Sequence, residues 1–315
     1  MQLSQVTDNT PTASLCLFFY KAENFVEEAI ESAFNQTYDD IEIILSDDCS
    51  PDRTFDIIKE KAAKYIGNKK IIINQNPHNL GLVKHVNKLI YELSSGKYVF
   101  LTAGDDFSSL NRVEDGVSIL EKNSNFSAVS FNAVIIDANS NEIGFRGPKK
   151  EYVRSFRDKD YLIKTSMMAG ESGVGFRREI LNAFGPLNED CPTEDSTLRF
   201  RSLLYGPIFC SEKTGLMYRI HDNNLSNPKR IYQLKTDCIT KQYLRDLHLM
   251  KDKLSHKDYI ILKRKISYYA KNREIDEILQ TRQLNFIQRY YYNIRRRFLS
   301  KLYYNRIKDY IISGN

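Results

Sequence analysis

The sequence predicts an α/β fold: a mostly parallel central sheet with helices on both faces, followed by a helical C-terminal extension. Three observations carry that prediction. From residue 13 to about 136, apolar runs of strand length alternate with segments of helical spacing, the pattern of strand–helix–strand units. The strand-length runs are continuously apolar, as strands buried on both faces are. From residue 230 to 313 the patterning is helical, with neither Pro nor Gly.

Taken in order, residues 14–20 read as the first strand, bounded by polar residues. Residues 25–36 follow as a helix, with Phe25, Ala29, Ile30, Ala33 and Phe34 at helical spacing. A second strand is expected over 41–45. A second helix is expected over 52–65, capped by Ser50 or Asp52 with Pro51 at its start. Segments 70–74, 81–93 and 98–102 repeat the alternation. Past residue 136 the regularity weakens. DANSNE at 137–142 reads as a hairpin turn. Residues 161–168, 177–184 and 194–204 read as short helices, and strands are expected around Val174 and over 216–220. The chain thus divides into a flexible 1–12, a main domain over 13–229 and a helical region over 230–315.

Composition narrows the function classes. The 315 residues are 42% hydrophobic and 27% charged, enough to bury a core. No apolar stretch approaches the ~18–20 residues of a transmembrane helix. The first residues carry neither a basic nor an apolar leader segment, so no secretory signal is read. Five cysteines without metal-type spacing suggest reduced thiols in a cytoplasmic protein. Residues 230–315 hold 20 Lys+Arg against 8 Asp+Glu, whereas residues 1–229 hold 26 against 32. Chemistry and partner binding are therefore expected in different parts of the chain.

In sheets of this kind ligands bind beyond the C-terminal strand ends. The first strand ends at Phe19-Tyr20-Lys21, the second at Asp47-Asp48, and the fourth at Gly104-Asp105-Asp106. Adjacent acids with no neighbouring Arg or Lys are costly unless something neutralises them. A divalent cation does so, and oxygen ligands suit Mg2+ or Mn2+. Gly104 allows close approach of a ligand or another backbone. Helix capping is the competing reading, weightier for Asp47-Asp48 than for Asp105-Asp106, since Phe107-Ser108-Ser109 delays the next helix.

The segment from Ser14 through DDCSPDRT resembles the opening of family 2 glycosyltransferases, which have the GT-A fold. The similarity continues through NLGLVKHVNKLIYELSSGKYVFLTAGDDF, GESGVGFRREIL, PTEDSTLRFR and YRIHDNNLS, covering roughly residues 13–226. Two departures stand out: Lys21 replaces the Asn that follows the strand-one Tyr, and Ala103 replaces the first Asp of the longer metal motif. The resemblance implies a catalytic domain with a donor half over 13–110 and an acceptor half over 111–229. It implies that Asp48 accepts the imide N–H of the donor's base, with Phe19 and Tyr20 lining that pocket. Asp105 would face the ribose and the metal, Asp106 would ligate Mn2+ or Mg2+, and Lys84 would approach the nucleotide. A solvated helix lysine is the competing reading for Lys84.

Glu194-Asp195 opens the helix at 194–204, and on composition alone it is an ordinary acidic helix start. The resemblance makes Asp195 the general base of an inverting transfer, with Glu194 orienting it or touching acceptor hydroxyls. Strand alternation puts Arg219 and His221 on one face. The resemblance then gives His221 to the metal and Arg219 to the donor diphosphate.

In residues 286–309, Phe286, Tyr290, Ile294, Phe298 and Leu302 recur every four positions among basic residues. Such a helix either packs on the main domain or lies on an anionic membrane surface. No nucleic-acid motif accompanies it. A dinucleotide fold lacks its Gly-rich turn after strand one, and no P-loop is present. The sequence therefore points to transfer from a nucleotide-sugar to a glycan or lipid-linked saccharide. A catalytically inactive glycan- or membrane-binding protein on the same fold is the alternative.

Overall fold

The computed structural model describes residues 10–163, 167, 173–222, 224 and 237–312. Its centre is a sheet whose first four paired strands run β3-β2-β1-β4, comprising β1 (Ala13–Phe19), β2 (Ile41–Asp47), β3 (Lys70–Gln75) and β4 (Tyr98–Ala103), all parallel. The expected alternation is met by α1 (Val26–Phe34), α2 (Thr54–Ala63) and α3 (Leu82–Lys88), the last running into a π turn at Leu89–Leu93.

β1, β2 and β4 read as apolar runs because both of their faces are covered, whereas β3, at the sheet edge, is partly exposed. Leu15, Leu17, Ile43 and Leu45 pack with Val26, Ile30 and Ile58 on one side. Cys16 and Ile44 pack with Val83 and Val86 on the other. Successive side chains of one strand thus enter two different cores, as the period-2 pleat requires.

Beyond β4 the sheet becomes mixed. After the two-residue β5 (Phe107–Ser108) and α4 (Arg112–Lys122), β6 (Ala128–Ile136) and β7 (Glu142–Arg146) form the hairpin expected at 137–142. β8 (Tyr152–Arg154), α5 (Lys159–Ile163), β9 (Gly175–Arg177), α6 (Arg178–Phe184), α7 (Asp195–Tyr205) and β10 (Ile208–Arg219) follow. β9 bridges β4 and β6 antiparallel to both, and β10 runs parallel to β6 and antiparallel to β5 and β8. The expectation of a mostly parallel sheet therefore holds for the first half, while short antiparallel strands complete the second. β10 is also much longer than the expected 216–220, with irregular register between Cys210 and Leu216.

The C-terminal region forms α8 (Asp237–Leu249), α9 (His256–Thr281) and α10 (Phe286–Ile312). Ile239, Tyr243 and Leu247 share a core with Leu198 and Phe200 of α7. The buried pair Arg201–Asp246, 2.8 Å apart, adds a specific link between α7 and α8.

Candidate active site at the strand ends

Strand register gathers the candidate residues. Phe19 is paired with Asp47 and Phe18 with Ala103, so β1, β2 and β4 end in one row. β5 then pairs Phe107 with Met217. Continuing that antiparallel register by two places sets Arg219 opposite Asp105. The end of β10 is thereby delivered to the acidic pair.

Asp47 and Asp48 do different work. Asp47 is fully buried and closes its own turn, accepting from the Ser50 N–H at 2.9 Å and from Gln75 Nε2 at 3.2 Å. Asp48 is almost as buried. Its Oδ1 accepts from Asn76 Nδ2 and the Leu80 N–H, both at 2.8 Å, and its Oδ2 accepts from the Gly81 N–H at 2.9 Å. A carboxylate offers about four lone-pair sites, so one on Oδ2 remains for a further donor. The capping role weighed for this pair is not what it does: α2 begins at Thr54 without a side-chain cap, and Asp48 instead holds the turn that leads into α3. Beneath the pair, burial lowers the His85 imidazole to about 4, and its Nε2 lies 2.7 Å from Ser46 Oγ. Sequence reasoning had left that histidine unassigned.

Phe19 is buried and Tyr20 exposed. Gly104 is explained by the first of these: a Cβ on Gly104 would lie 2.3 Å from Phe19 Cδ1. The close approach is thus to an aromatic ring of the neighbouring strand, rather than to a ligand. Lys84 points to Glu189, 3.2 Å away across the surface.

Asp106 is buried, and its Oδ1 accepts from the Arg219 N–H at 2.8 Å. Burial pushes its carboxyl well above the usual range, and Asp105 adds to the effect, while the Arg219 amide and the charges of Arg112 and Arg219 oppose it. Asp105 is more open. Its Oδ2 lies 3.0 Å from His221 Nε2 and accepts from Asn224 Nδ2 at 3.3 Å. Two ligand atoms at right angles on an octahedral hard cation, each about 2.1 Å from it, are about 3 Å apart. The Asp105–His221 spacing fits that geometry, with Asp106 next in the chain. Among the described residues, no three His, Cys, Asp or Glu side chains converge without an ion.

Arg219 occupies a different position from the one its expected role requires. It is buried, its Nε donates to the Asp105 carbonyl oxygen at 2.8 Å, and Nη1 donates to Asp137 O at 3.1 Å and Ser140 Oγ at 2.9 Å. Nη2 pairs with Glu28, and the guanidinium covers the Phe25 ring at 4.7 Å. β10 ends at this residue, so Ile220 and His221 lie just past the strand. The side chains of Arg219 and His221 nonetheless both reach Asp105. Glu28, Ser140 and Asn224 were missed because no local pattern marks contacts spanning up to 191 residues. Arg112, which opens α4 fully buried and donates to Thr102 and Ser108 at 2.7 and 2.8 Å, was missed because charged residues usually read as surface.

Glu194 and Asp195 sit together at the start of α7, as expected. Protein crowds both carboxyls and pushes them upward, Glu194 to about 8 with repulsion from Asp195 contributing. Asp195 still keeps an exposed face. The Ser196 N–H donates to Asp195 Oδ1 at 2.6 Å.

The sequence profile described as Glycosyl transferase family 2 matches residues 14–185, which contain all three strand ends. The chain belongs to that family. Among curated relatives, the putative glycosyltransferase EpsE of Bacillus subtilis is 34% identical over 139 residues, 44% of this chain and 48% of EpsE. The match therefore spans about half that relative's length. The uncharacterized glycosyltransferase MJ1057 of Methanocaldococcus jannaschii is 30% identical over 243 residues, 74% of this chain and 81% of that protein. Among solved structures, Staphylococcus aureus TarS 1-349 in complex with UDP-GlcNAc has a TM-score of 0.62 at 16% identity, covering 87% of this chain and 76% of that one. The mannosyltransferase PcManGT of Pyrobaculum calidifontis, in complex with GDP-Man and Mn2+, has a TM-score of 0.54 at 14% identity, covering 96% and 85%. The family's mixed α/β architecture is thus shared by this chain.

Proposed function

We propose that the chain transfers a sugar, with inversion, from a nucleotide-sugar to a hydroxyl of a glycan or lipid-linked saccharide, and that a UDP-sugar is the donor. The observation that supports this most is the contact of His221 Nε2 with Asp105 Oδ2, 3.0 Å apart beside Asp106, at a strand end separated from that of Asp48 by β1. In this reading the diphosphate-side and base-side groups lie along one sheet edge. The remaining lone pair of Asp48 Oδ2 would accept the base's imide N–H beside Phe19 and Tyr20. Mn2+ or Mg2+ held by Asp105, Asp106 and His221 would neutralise charge on the departing diphosphate. Arg219 would act behind the site, fixing both acids, while Lys84 would serve the nucleotide only after leaving Glu189.

Asp195 would take the proton from the acceptor hydroxyl as that oxygen bonds to the anomeric carbon and the bond to the diphosphate breaks. Glu194, protonated to a higher pH, would orient Asp195 or donate to acceptor hydroxyls. The acceptor is placed at the inner face of the cell membrane in this reading, with residues 286–309 facing the lipid. A thermal-shift screen of UDP-, dTDP- and GDP-sugars, followed by UDP release with and without Mn2+ or Mg2+, tests the reading. UDP-sugar stabilisation with metal-dependent release is expected. Stabilisation without turnover by any acceptor would favour the inactive glycan-binding alternative.

A further inference from the structure

Helices α9 and α10 form an antiparallel pair at the chain's basic end. Tyr268 and Tyr303 stack between them, centroids 4.4 Å apart, and Tyr303 donates to Leu162 O at 2.9 Å. This seats α10 on the protein. Beside the stack lies a groove of about 340 Å³ whose lining includes Lys263, Arg264, Lys271 and Arg306. Among the described residues, no carboxylate pairs with any of these four cations. Arg264 Nη1 donates to the Arg306 carbonyl oxygen at 2.6 Å, which anchors that guanidinium at the groove.

The apolar stripe of α10 runs up to this groove. Leu302 lines it, and Phe298, Ile294, Tyr290 and Phe286 continue the stripe at four-residue steps. They face solvent, with Phe298 63% and Phe286 83% exposed. Large exposed aromatics among unpaired basic groups are costly on a surface that meets only water. A bilayer interface accommodates both, with aromatic bodies at the acyl boundary and cations at anionic headgroups. No described helix is long and apolar enough to cross a membrane, so contact would be lateral.

We propose that the α9–α10 groove and the stripe beside it form one docking surface for an anionic phospholipid bilayer, with headgroup phosphates taken by Lys263, Arg264, Lys271 and Arg306. This deepens the proposed function only in where the acceptor would be met. It is independent of the transfer chemistry, because the test uses no donor.

The full chain is co-sedimented with vesicles of phosphatidylcholine alone and of phosphatidylcholine mixed with phosphatidylglycerol. Binding to the mixed vesicles only, weakening as salt rises, is expected. Each neutralised cation should weaken it about fivefold, so the Lys263→Gln/Lys271→Gln/Arg306→Gln variant should lose about a hundredfold. Ile294→Ser/Phe298→Ser, which leaves the groove intact, should lose about tenfold or more. All five positions are on the surface, and an unchanged unfolding midpoint checks folding. Equal binding to both vesicle types, or by wild type and the triple variant, overturns the proposal. Displacement by inorganic phosphate at constant ionic strength assigns the groove to free phosphate and overturns it too. A concentration-dependent dimer dissolved by Ile294→Ser/Phe298→Ser, without vesicle binding, gives the stripe to a second copy with the same consequence.

Discussion

Arg219 and Asp106 are joined through the main chain: the Arg219 N–H donates to Asp106 Oδ1 at 2.8 Å. The same residue's Nε holds the Asp105 carbonyl oxygen at 2.8 Å, and its guanidinium reaches Ser140 and Glu28. One arginine thus ties the end of β10, the acidic turn, the β6–β7 hairpin and α1 together. Lysine keeps the charge but cannot supply a planar fork of donors. Arg219→Lys should therefore cost about 2 kcal/mol or more in urea unfolding and, by misplacing the acidic turn, lower kcat at least about tenfold. An unchanged midpoint with lowered turnover would return Arg219 to direct diphosphate contact, and no change in either would remove it from the site.

The first half of the fold was legible because β1, β2 and β4 are covered on both faces and the helices between them carry apolar stripes. Residues 14–20, 41–45, 70–74 and 98–102 were each placed within a residue or two of an end. β10 was not, since Ser211-Glu212-Lys213-Thr214 puts polar residues in the irregular middle of a strand, where they read as a loop. The acids at the site were legible by position but not by partner. Nothing local in Glu28 or Ser140 announces Arg219, and nothing in Arg112 announces full burial. Gly104 was recognised as special, yet its reason lies in Phe19 on another strand. Part of the expected helix 161–168 lies outside the described residues.

Asp105 and His221 present a pair of donor atoms 3.0 Å apart. If they share a cation, Asp105→Asn and His221→Ala should each raise the Mn2+ concentration for half-maximal UDP release by at least about tenfold. Calorimetric titration of Mn2+ with UDP present reads the same change without turnover. Identical metal affinity in all three proteins would show that the pair is a hydrogen bond and nothing more.

Gly104 is held to hydrogen by the Phe19 ring, 2.3 Å from where a Cβ would stand. Gly104→Ala should overpack this contact and cost about 1–3 kcal/mol. Phe19→Leu opens the space, so the double variant should be more stable than the sum of the single losses allows. Strict additivity in urea midpoints would mean that the two residues do not meet.

Asp195 has to be ionised to take a proton, and its carboxyl is raised above the ordinary 3.8. The protonated, inactive form therefore persists to higher pH than in a free aspartate, and kcat should fall as pH drops through that raised value. Burial and Asp195's charge raise Glu194 to about 8, so the two carboxyls titrate as a pair. Replacing Glu194 by Gln removes one member. Glu194 is still protonated while Asp195 titrates, so Glu194→Gln should leave the acid limb of kcat in place with donor KM little changed. Asp195→Asn should abolish turnover while sparing UDP binding in thermal shift. A limb that disappears in Glu194→Gln would assign it to Glu194, and that outcome, or turnover surviving in Asp195→Asn, would remove Asp195 from the role of base.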